Sequence, residues 1–268
     1  MDKPSIPPTD AAHAAGDRQF AINLARGMAI LRAFSADKPI LGNREICDRT
    51  GLAKATVSRL TYTLTLLGYL SHIPGLQKYR LAPGVLSLGY PFLASLPFRQ
   101  VIRPVMEALA HDTGCTVNLG MLDRTRVVFV ETCRVDEGNV YLPDIGSTRP
   151  ILATSVGRAL LLAIEPRQRE YLLNRIRLED PQEFRRLSPI WNTDANEFSR
   201  KGYCHARGDW RREIHGVAAP VRRPAREEPV ALNCTLSGRQ AGKDRLEKQV
   251  APKLLRAVYE IERASGLV

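Results

Sequence analysis

Cysteine is scarce and unpaired in this chain. Cys47, Cys115, Cys133, Cys204 and Cys234 are scattered singly, their number is odd and no CxxC occurs. Neither a disulfide framework nor a zinc knuckle is expected, and a reducing, cytosolic setting is the simplest reading. Long apolar runs are missing too. The longest, Ala159 to Ile164, is far short of a membrane span, so no membrane partner is expected. The opening MDKPSIPPTD has no apolar h-region, and no secretory signal is expected.

Catalytic signatures are also absent. There is no HExxH, no P-loop and no GxGxxG placed after a strand. Ser155 sits in Ala153-Thr154-Ser155-Val156-Gly157, which lacks the first Gly of a GxSxG elbow. Cys204 and His205 are strand neighbours whose side chains point to opposite faces, a poor metal or nucleophile pair. His72, His111, His205 and His215 fall on separate elements and read as surface or packing residues. No cofactor, no metal and no enzymatic activity are expected.

Acidic residues are in short supply. The 268 residues carry 39 Lys+Arg against 28 Asp+Glu, a net charge of +11, within an ordinary globular composition of 44% hydrophobic and 25% charged residues. The length fits two domains. The charge is uneven. From Arg18 to Pro83 ten cations oppose three anions, a net of +7 in 66 residues. The first 17 residues, rich in Pro, Ala and Asp, net −2 and read as a disordered tail. The other 185 residues net +6, a density about three times lower. That asymmetry fits one nucleic-acid-binding domain joined to a domain with another task.

Local patterns in the basic segment agree. Phe20, Leu24, Met28, Leu31 and Phe34 recur at helical spacing and predict one inward face of a helix over 19–35. Ile40-Leu41 is a candidate short strand, and Asn43 is expected to cap a helix from Arg44 to Arg49. Gly51 breaks it. A third helix, Lys54 to Leu67, would bury Val57, Leu60, Leu64 and Leu67 and turn Lys54, Ala55, Ser58, Arg59 and Tyr62 outward. Small residues, hydroxyls and an Arg near a helix N-terminus suit a major groove. Backbone N–H groups and Thr56 suit phosphates. Two short alternating runs around Pro74-Gly75 predict a hairpin, whose Lys78 and Arg80 would reach the backbone or a minor groove. Arg44 completes the candidate DNA contacts. The order helix, helix, turn, helix, hairpin is that of a winged helix-turn-helix over 18–83. A small three-helix bundle with a solvated basic face has the same pattern, and a sensor whose basic module engages protein or RNA stays open as an alternative.

The stretches Gly27-Met28-Ala29-Ile30-Leu31, Glu45-Ile46, Gly51-Leu52, Lys54-Ala55-Thr56-Val57-Ser58-Arg59-Leu60, Leu67-Gly68-Tyr69-Leu70 and Tyr79-Arg80-Leu81 resemble the DNA-binding domain of the IclR family of bacterial transcriptional regulators.

Beyond it, 84–97 reads as a linker helix interrupted at Pro91. Over 98–268 the pattern is α+β. A helix is expected over Phe98–His111, strands over Val117–Met121, Val127–Cys133 and Val140–Ile145, and a helix opening at Thr154 or Ser155. A helix over Arg167–Ile176 follows, then strands over Gly202–Arg207, Gly216–Val221 and Pro229–Ser237, and a final helix over Lys243–Ala264. The run Leu152 to Leu161, Lys201-Gly202-Tyr203 and Ile214 to Val221 resemble the IclR effector-binding domain, which implies a GAF/PAS-like fold with an antiparallel sheet.

The residues offer the pieces of a pocket. Ser155 and Val156 open a helix, an anion site. Thr235 and Ser237 share one strand face. Ile214 and Gly216 sit on the next strand, with Met121 or Leu142 as further apolar wall. The resemblance implies that such positions bind a small carboxylic or aromatic effector. It also implies homodimers on a palindromic duplex, pairing into a dimer of dimers. Some family members have an acidic residue where this chain has Ala206, so its neighbours Arg207 and Asp209 become candidates for reading an acid.

Overall fold

The computed structural model describes residues 19–135, 144–224, 227–242 and 244–265. The expected tail and Leu142 lie outside them. The chain divides into two compact units, Met1–Ser95 and Leu96–Val268.

The first unit contains α1 (Ile22–Arg32), β1 (Ile40–Leu41), α2 (Asn43–Thr50), α3 (Lys54–Leu66), β2 (Leu70–Ile73), β3 (Lys78–Leu81) and α4 (Gly84–Ala94). The three strands form one antiparallel sheet in the order β1-β3-β2. Ile30, Phe34, Leu41, Ile46, Val57, Leu64 and Leu70 make its core. The inward face of α1 departs from expectation. Phe20, Leu24 and Met28 are exposed, and burial falls on Ala29, Ile30 and Leu31 in its last turns. Among the described residues, burial on α1 falls toward its end, and the apolar stripe toward its start is exposed. Leu67 is exposed as well, because α3 ends at Leu66, and Leu60 is half-buried; the third buried position beside Val57 and Leu64 is Thr61, whose hydroxyl donates to the Val57 carbonyl at 2.9 Å. The cap of α2 is Gly42, one residue before Asn43, and Glu45 Oε2 accepts from the Gly42 amide at 2.9 Å.

The second unit opens with α5 (Phe98–Thr113) and a β4 (Thr116–Asp123) to β5 (Arg126–Cys133) hairpin, then β6 (Thr148–Pro150). Helices α6 (Ser155–Ala163), α7 (Pro166–Glu179) and α8 (Pro181–Lys201) follow. The chain ends with β7 (Cys204–Arg207), β8 (Ile214–Val221), β9 (Val230–Ser237), the single turn α9 (Gly238–Ala241), a π-helical turn (Leu246–Val250) and α10 (Ala251–Ala264). Six antiparallel strands run β6-β5-β4-β9-β8-β7. The expected strand Val140–Ile145 falls mostly outside the described residues. Residues 140–143 lie outside the described set, Asp144 and Ile145 lead into a turn, and the third strand is β6. No element was expected over the span of α8. Pro181 sits in the first turn, where no N–H is needed, and Asp180 caps the Glu183 amide at 3.0 Å. Among the described residues no helix is long and apolar enough to cross a membrane.

Candidate functional site

In the first unit the candidate interface is the outer face of α3. Gly51, at φ 71°, reverses the chain after α2 and donates to the Cys47 carbonyl at 2.8 Å, which sets α3 off at a new angle. Ala53, at the N-cap of α3, provides no side-chain oxygen, and the first turn holds no acid. Its leading N–H groups therefore stand as an anion site. Lys54, Ala55, Ser58, Arg59 and Tyr62 are exposed and Thr56 is half-buried. Arg44 on α2 and Arg80 on β3 are exposed as well. Lys78 is half-buried, and its Nζ lies 2.9 Å from Glu45 Oε2. Glu45 in turn is held below the usual carboxylate range, first by the Gly42 amide and then by Lys78. Lys78 thus ties the wing to the start of α2.

In the second unit a cavity of about 490 Å³ opens between the start of α6, the ends of β8 and β9, and the loop after β7. That volume lies in the range of small-molecule sites. Ser155, Val156, Ile214, Gly216, Thr235 and Ser237 all line it. Thr154 caps α6, its Oγ1 accepting from the Gly157 amide at 3.3 Å and donating to the Pro150 carbonyl at 2.9 Å. The Ser155 and Val156 amides come before any intrahelical partner. Gly216 permits close approach, since a Cβ there would lie 3.0 Å from the Cys234 carbonyl oxygen and 3.4 Å from Ser155 Oγ.

Two hydroxyls are partly committed. Thr235 donates to the Thr116 carbonyl at 3.3 Å and so faces a ligand as an acceptor. Ser237 caps α9 through Gln240. Met121 does not line the cavity. Gly120 points at Val156, so its neighbour Met121 points through the opposite face of the sheet. Arg207 does not either. Ala206 lines the cavity, while Arg207 turns away to Glu247 at 3.0 Å. Asp209 is bound to Arg158 at 3.0 Å.

Several lining residues were not anticipated: Phe129, Arg134, Arg149, Trp210, Arg211 and Asn233. Asn233 belongs to a polar row across the sheet, in which Thr132 donates to Asn118 and Asn118 to Asn233, each at 3.1 Å. Alternation along β9, which puts Asn233, Thr235 and Ser237 on one face, was the signal available for it. The other five come together only through the tertiary fold.

His205 and His215, on adjacent strands, line a second, small pocket of about 90 Å³ with Arg207 and Glu247. Burial, with Arg207 beside it, lowers the His205 pKa to about 4. Its folded value is then below the unfolded value near 6.5, and the unfolded chain takes up the extra proton. Stability of this unit is therefore expected to fall as pH drops from about 6.5 toward 4, and His205→Gln should flatten that slope in urea titrations at stepped pH.

Known proteins match along the chain. The family model of the IclR helix-turn-helix domain matches residues 23–74, and the model of the bacterial transcriptional regulator IclR C-terminal domain matches residues 91–263. The HTH-type transcriptional regulator TsaQ1/TsaQ2 of Comamonas testosteroni is 31% identical over 242 residues, covering 90% of this chain and 87% of that protein. The crystal structure of an IclR family transcriptional regulator from Brucella abortus is 37% identical, with a TM-score of 0.81 over 92% of this chain and 94% of that one. The structure of an IclR homologue from Microbacterium hydrocarbonoxydans complexed with 4-hydroxybenzoate is 25% identical, with a TM-score of 0.66 over 90% and 98% of the two chains. With a winged helix-turn-helix in one unit and a cavity-bearing antiparallel sheet in the other, this chain belongs to the IclR family of bacterial transcriptional regulators.

Proposed function

We propose that the chain is a cytoplasmic, non-enzymatic regulator that binds a palindromic operator as a homodimer and releases or engages it in response to an aromatic or other small organic acid from a catabolic pathway. The domain division that goes with this is DNA binding over 18–83, a linker helix over 84–97, and effector binding with assembly over 98–268. The observation that carries the reading is the cavity of about 490 Å³, which sets the Ser155 and Val156 amides and the Thr235 hydroxyl beside the apolar Ile214. The 4-hydroxybenzoate bound by the Microbacterium homologue supports the ligand class. The acid's carboxylate sits at the start of α6, and its ring lies against Ile214 and Phe129. The effector changes operator affinity by binding the competent and incompetent states differently.

Arg59, with Lys54, Ala55, Ser58 and Tyr62, reads base edges. Thr56, Arg44 and Arg80 take the backbone. Pairing of two chains follows from the apolar side chains that one chain leaves open, Phe20 just before α1, Leu24 and Met28 on it, and Leu86, Leu88 and Phe92 on α4. Two-fold symmetry then requires half-sites about one helical turn apart.

The test is a gel shift on the chain's own upstream region. Arg59→Ala is expected to cost about 1–3 kcal/mol of binding and to relax specificity at one base pair per half-site. Equal binding by wild type and variant at moderate salt would remove α3 as the recognition helix. Binding of RNA in preference to duplex DNA would favour the sensor alternative.

A further inference from the structure

One buried donor on the floor of the cavity is unpartnered among the described residues. Asn233, on β9, is 3% exposed and lines the cavity. A polar row fixes how its side chain faces. The Thr132 hydroxyl donates to Asn118 Oδ1, and Asn118 Nδ2 donates to Asn233 Oδ1, each at 3.1 Å. A carboxamide has one acceptor oxygen and one donor nitrogen. With its oxygen turned to Asn118, Asn233 turns its N–H groups toward the cavity, and nothing among the described residues accepts from them. Buried donors are normally paired, so this one marks a place for an acceptor atom. The strand register puts that place under the start of α6. On the face of the sheet that α6 covers, Gly216 and Thr235 form one row, Asn118 and Asn233 the next, and Gly120 and Ala231 the one after. A Cβ on Gly216 would lie 3.4 Å from Ser155 Oγ, and one on Gly120 would lie 2.8 Å from Val156 Cγ2. The first turn of α6 therefore spans the row between, which holds Asn233.

We propose that Asn233 is a specificity-determining residue that completes, with the Ser155 and Val156 amides, a three-donor site for the effector's carboxylate and so selects acids over their amides. This rests on the reading that the cavity takes an aromatic acid. Each of the three groups is a neutral N–H donor, and the helix start adds its dipole. A carboxylate suits them because it is acceptor-only and its two oxygens can take several N–H bonds, each charge-assisted. A primary amide on the same ring has one oxygen and turns its own N–H groups toward donors. It forgoes at least one of the three bonds and the charge assistance of the others. Thr132 and Asn118 touch no ligand in this arrangement. They hold the Asn233 amide the right way round, as positioning residues.

Isothermal titration calorimetry on the full chain tests this with benzoate, 4-hydroxybenzoate and 4-hydroxybenzamide. Wild type is expected to bind 4-hydroxybenzoate about tenfold or more tightly than 4-hydroxybenzamide. Asn233→Ala should weaken both acids alike, by about tenfold, and leave the amide nearly unchanged. Asn233→Asp keeps the shape and the bond from Asn118 but presents an acceptor to the ligand. It should weaken the acids further and bring the amide level with them or ahead. Thermal melts establish that the variants are folded, and Asn233→Ala decides alone if Asn233→Asp does not fold. Equal weakening of acid and amide in Asn233→Ala, or no weakening of either, overturns the inference while leaving the aromatic-acid reading intact. So does a loss confined to 4-hydroxybenzoate, which would mean that Asn233 meets the ring hydroxyl instead. Binding of none of the three by wild type overturns the aromatic-acid reading, and this inference with it.

Discussion

Replacing Arg158 with methionine is expected to destabilise the C-terminal unit by about 3–5 kcal/mol and to lower its thermal midpoint by roughly 10 °C or more. The Arg158 side chain is wholly buried on α6 and ties four segments together. Its Nε donates to Asp194 on α8 at 2.6 Å and its Nη1 to the Leu152 carbonyl at 2.6 Å. Its Nη2 donates to the His205 carbonyl at 2.6 Å and to Asp209 at 3.0 Å. Methionine fills similar space and supplies no donor, so two carboxylates and two carbonyls lose their partner at once. Burial pushes the Asp194 carboxyl above its usual range and Arg158 only partly pulls it back. Desolvation thus outweighs attraction at Asp194, and the cost of the substitution lies in the stranded partners. Calorimetric unfolding of the full chain measures it. Adding Asp194→Asn to the variant should recover part of the loss, because one stranded charge is then removed. A loss below about 1 kcal/mol would place Arg158 with surface ion pairs and would mean that water replaces its contacts.

The same cluster marks where reading the sequence ran out. Arg158 was legible as part of the run Leu152 to Leu161, but nothing local points to Asp194, 36 residues on, in a helix that was not expected. The winged helix-turn-helix was legible because its signals are local: the spacing of Val57, Leu60 and Leu64, the Gly51 turn, and alternation across Pro74-Gly75. The inward face of α1 was misread for the opposite reason. Periodicity finds an apolar stripe, and it does not say whether the stripe packs within the chain or is left for another surface. In the cavity, Ser155, Val156, Gly216 and Thr235 were legible from a helix start and from strand alternation. Met121 was misassigned because its parity on β4 depends on which sheet face α6 covers. Arg149 on β6 and Trp210 in the loop after β7 approach only once the sheet has formed, so no spacing rule couples them.

Gly157→Ala is expected to be as damaging as the loss of Arg158, and to strike the cavity as well as the fold. A Cβ at Gly157 would lie 2.1 Å from the Ile151 carbonyl oxygen and 2.5 Å from the Ile151 Cα. Both are backbone atoms, so no side-chain rotation relieves the clash. The close approach has a cause. Thr154 must reach both the Gly157 amide and the Pro150 carbonyl to start α6, which folds residues 150–154 tightly against the first turn. Overpacking of this kind costs typically 1–3 kcal/mol and occasionally more. With backbone on both sides of the contact the upper end, about 3 kcal/mol, is expected. Relief requires α6 to move away from β6. That displaces the Ser155 and Val156 amides from the Thr235 hydroxyl and should weaken an aromatic acid by about tenfold even where the chain still folds, since a charge-assisted hydrogen bond depends on its geometry. Denaturant titration and calorimetry on the same variant separate the two effects. Val156→Ala, which leaves the amide in place, serves as the comparison. If Gly157→Ala loses stability but binds benzoate-type acids as wild type does, the start of α6 is a packing feature alone and the carboxylate is held elsewhere in the cavity.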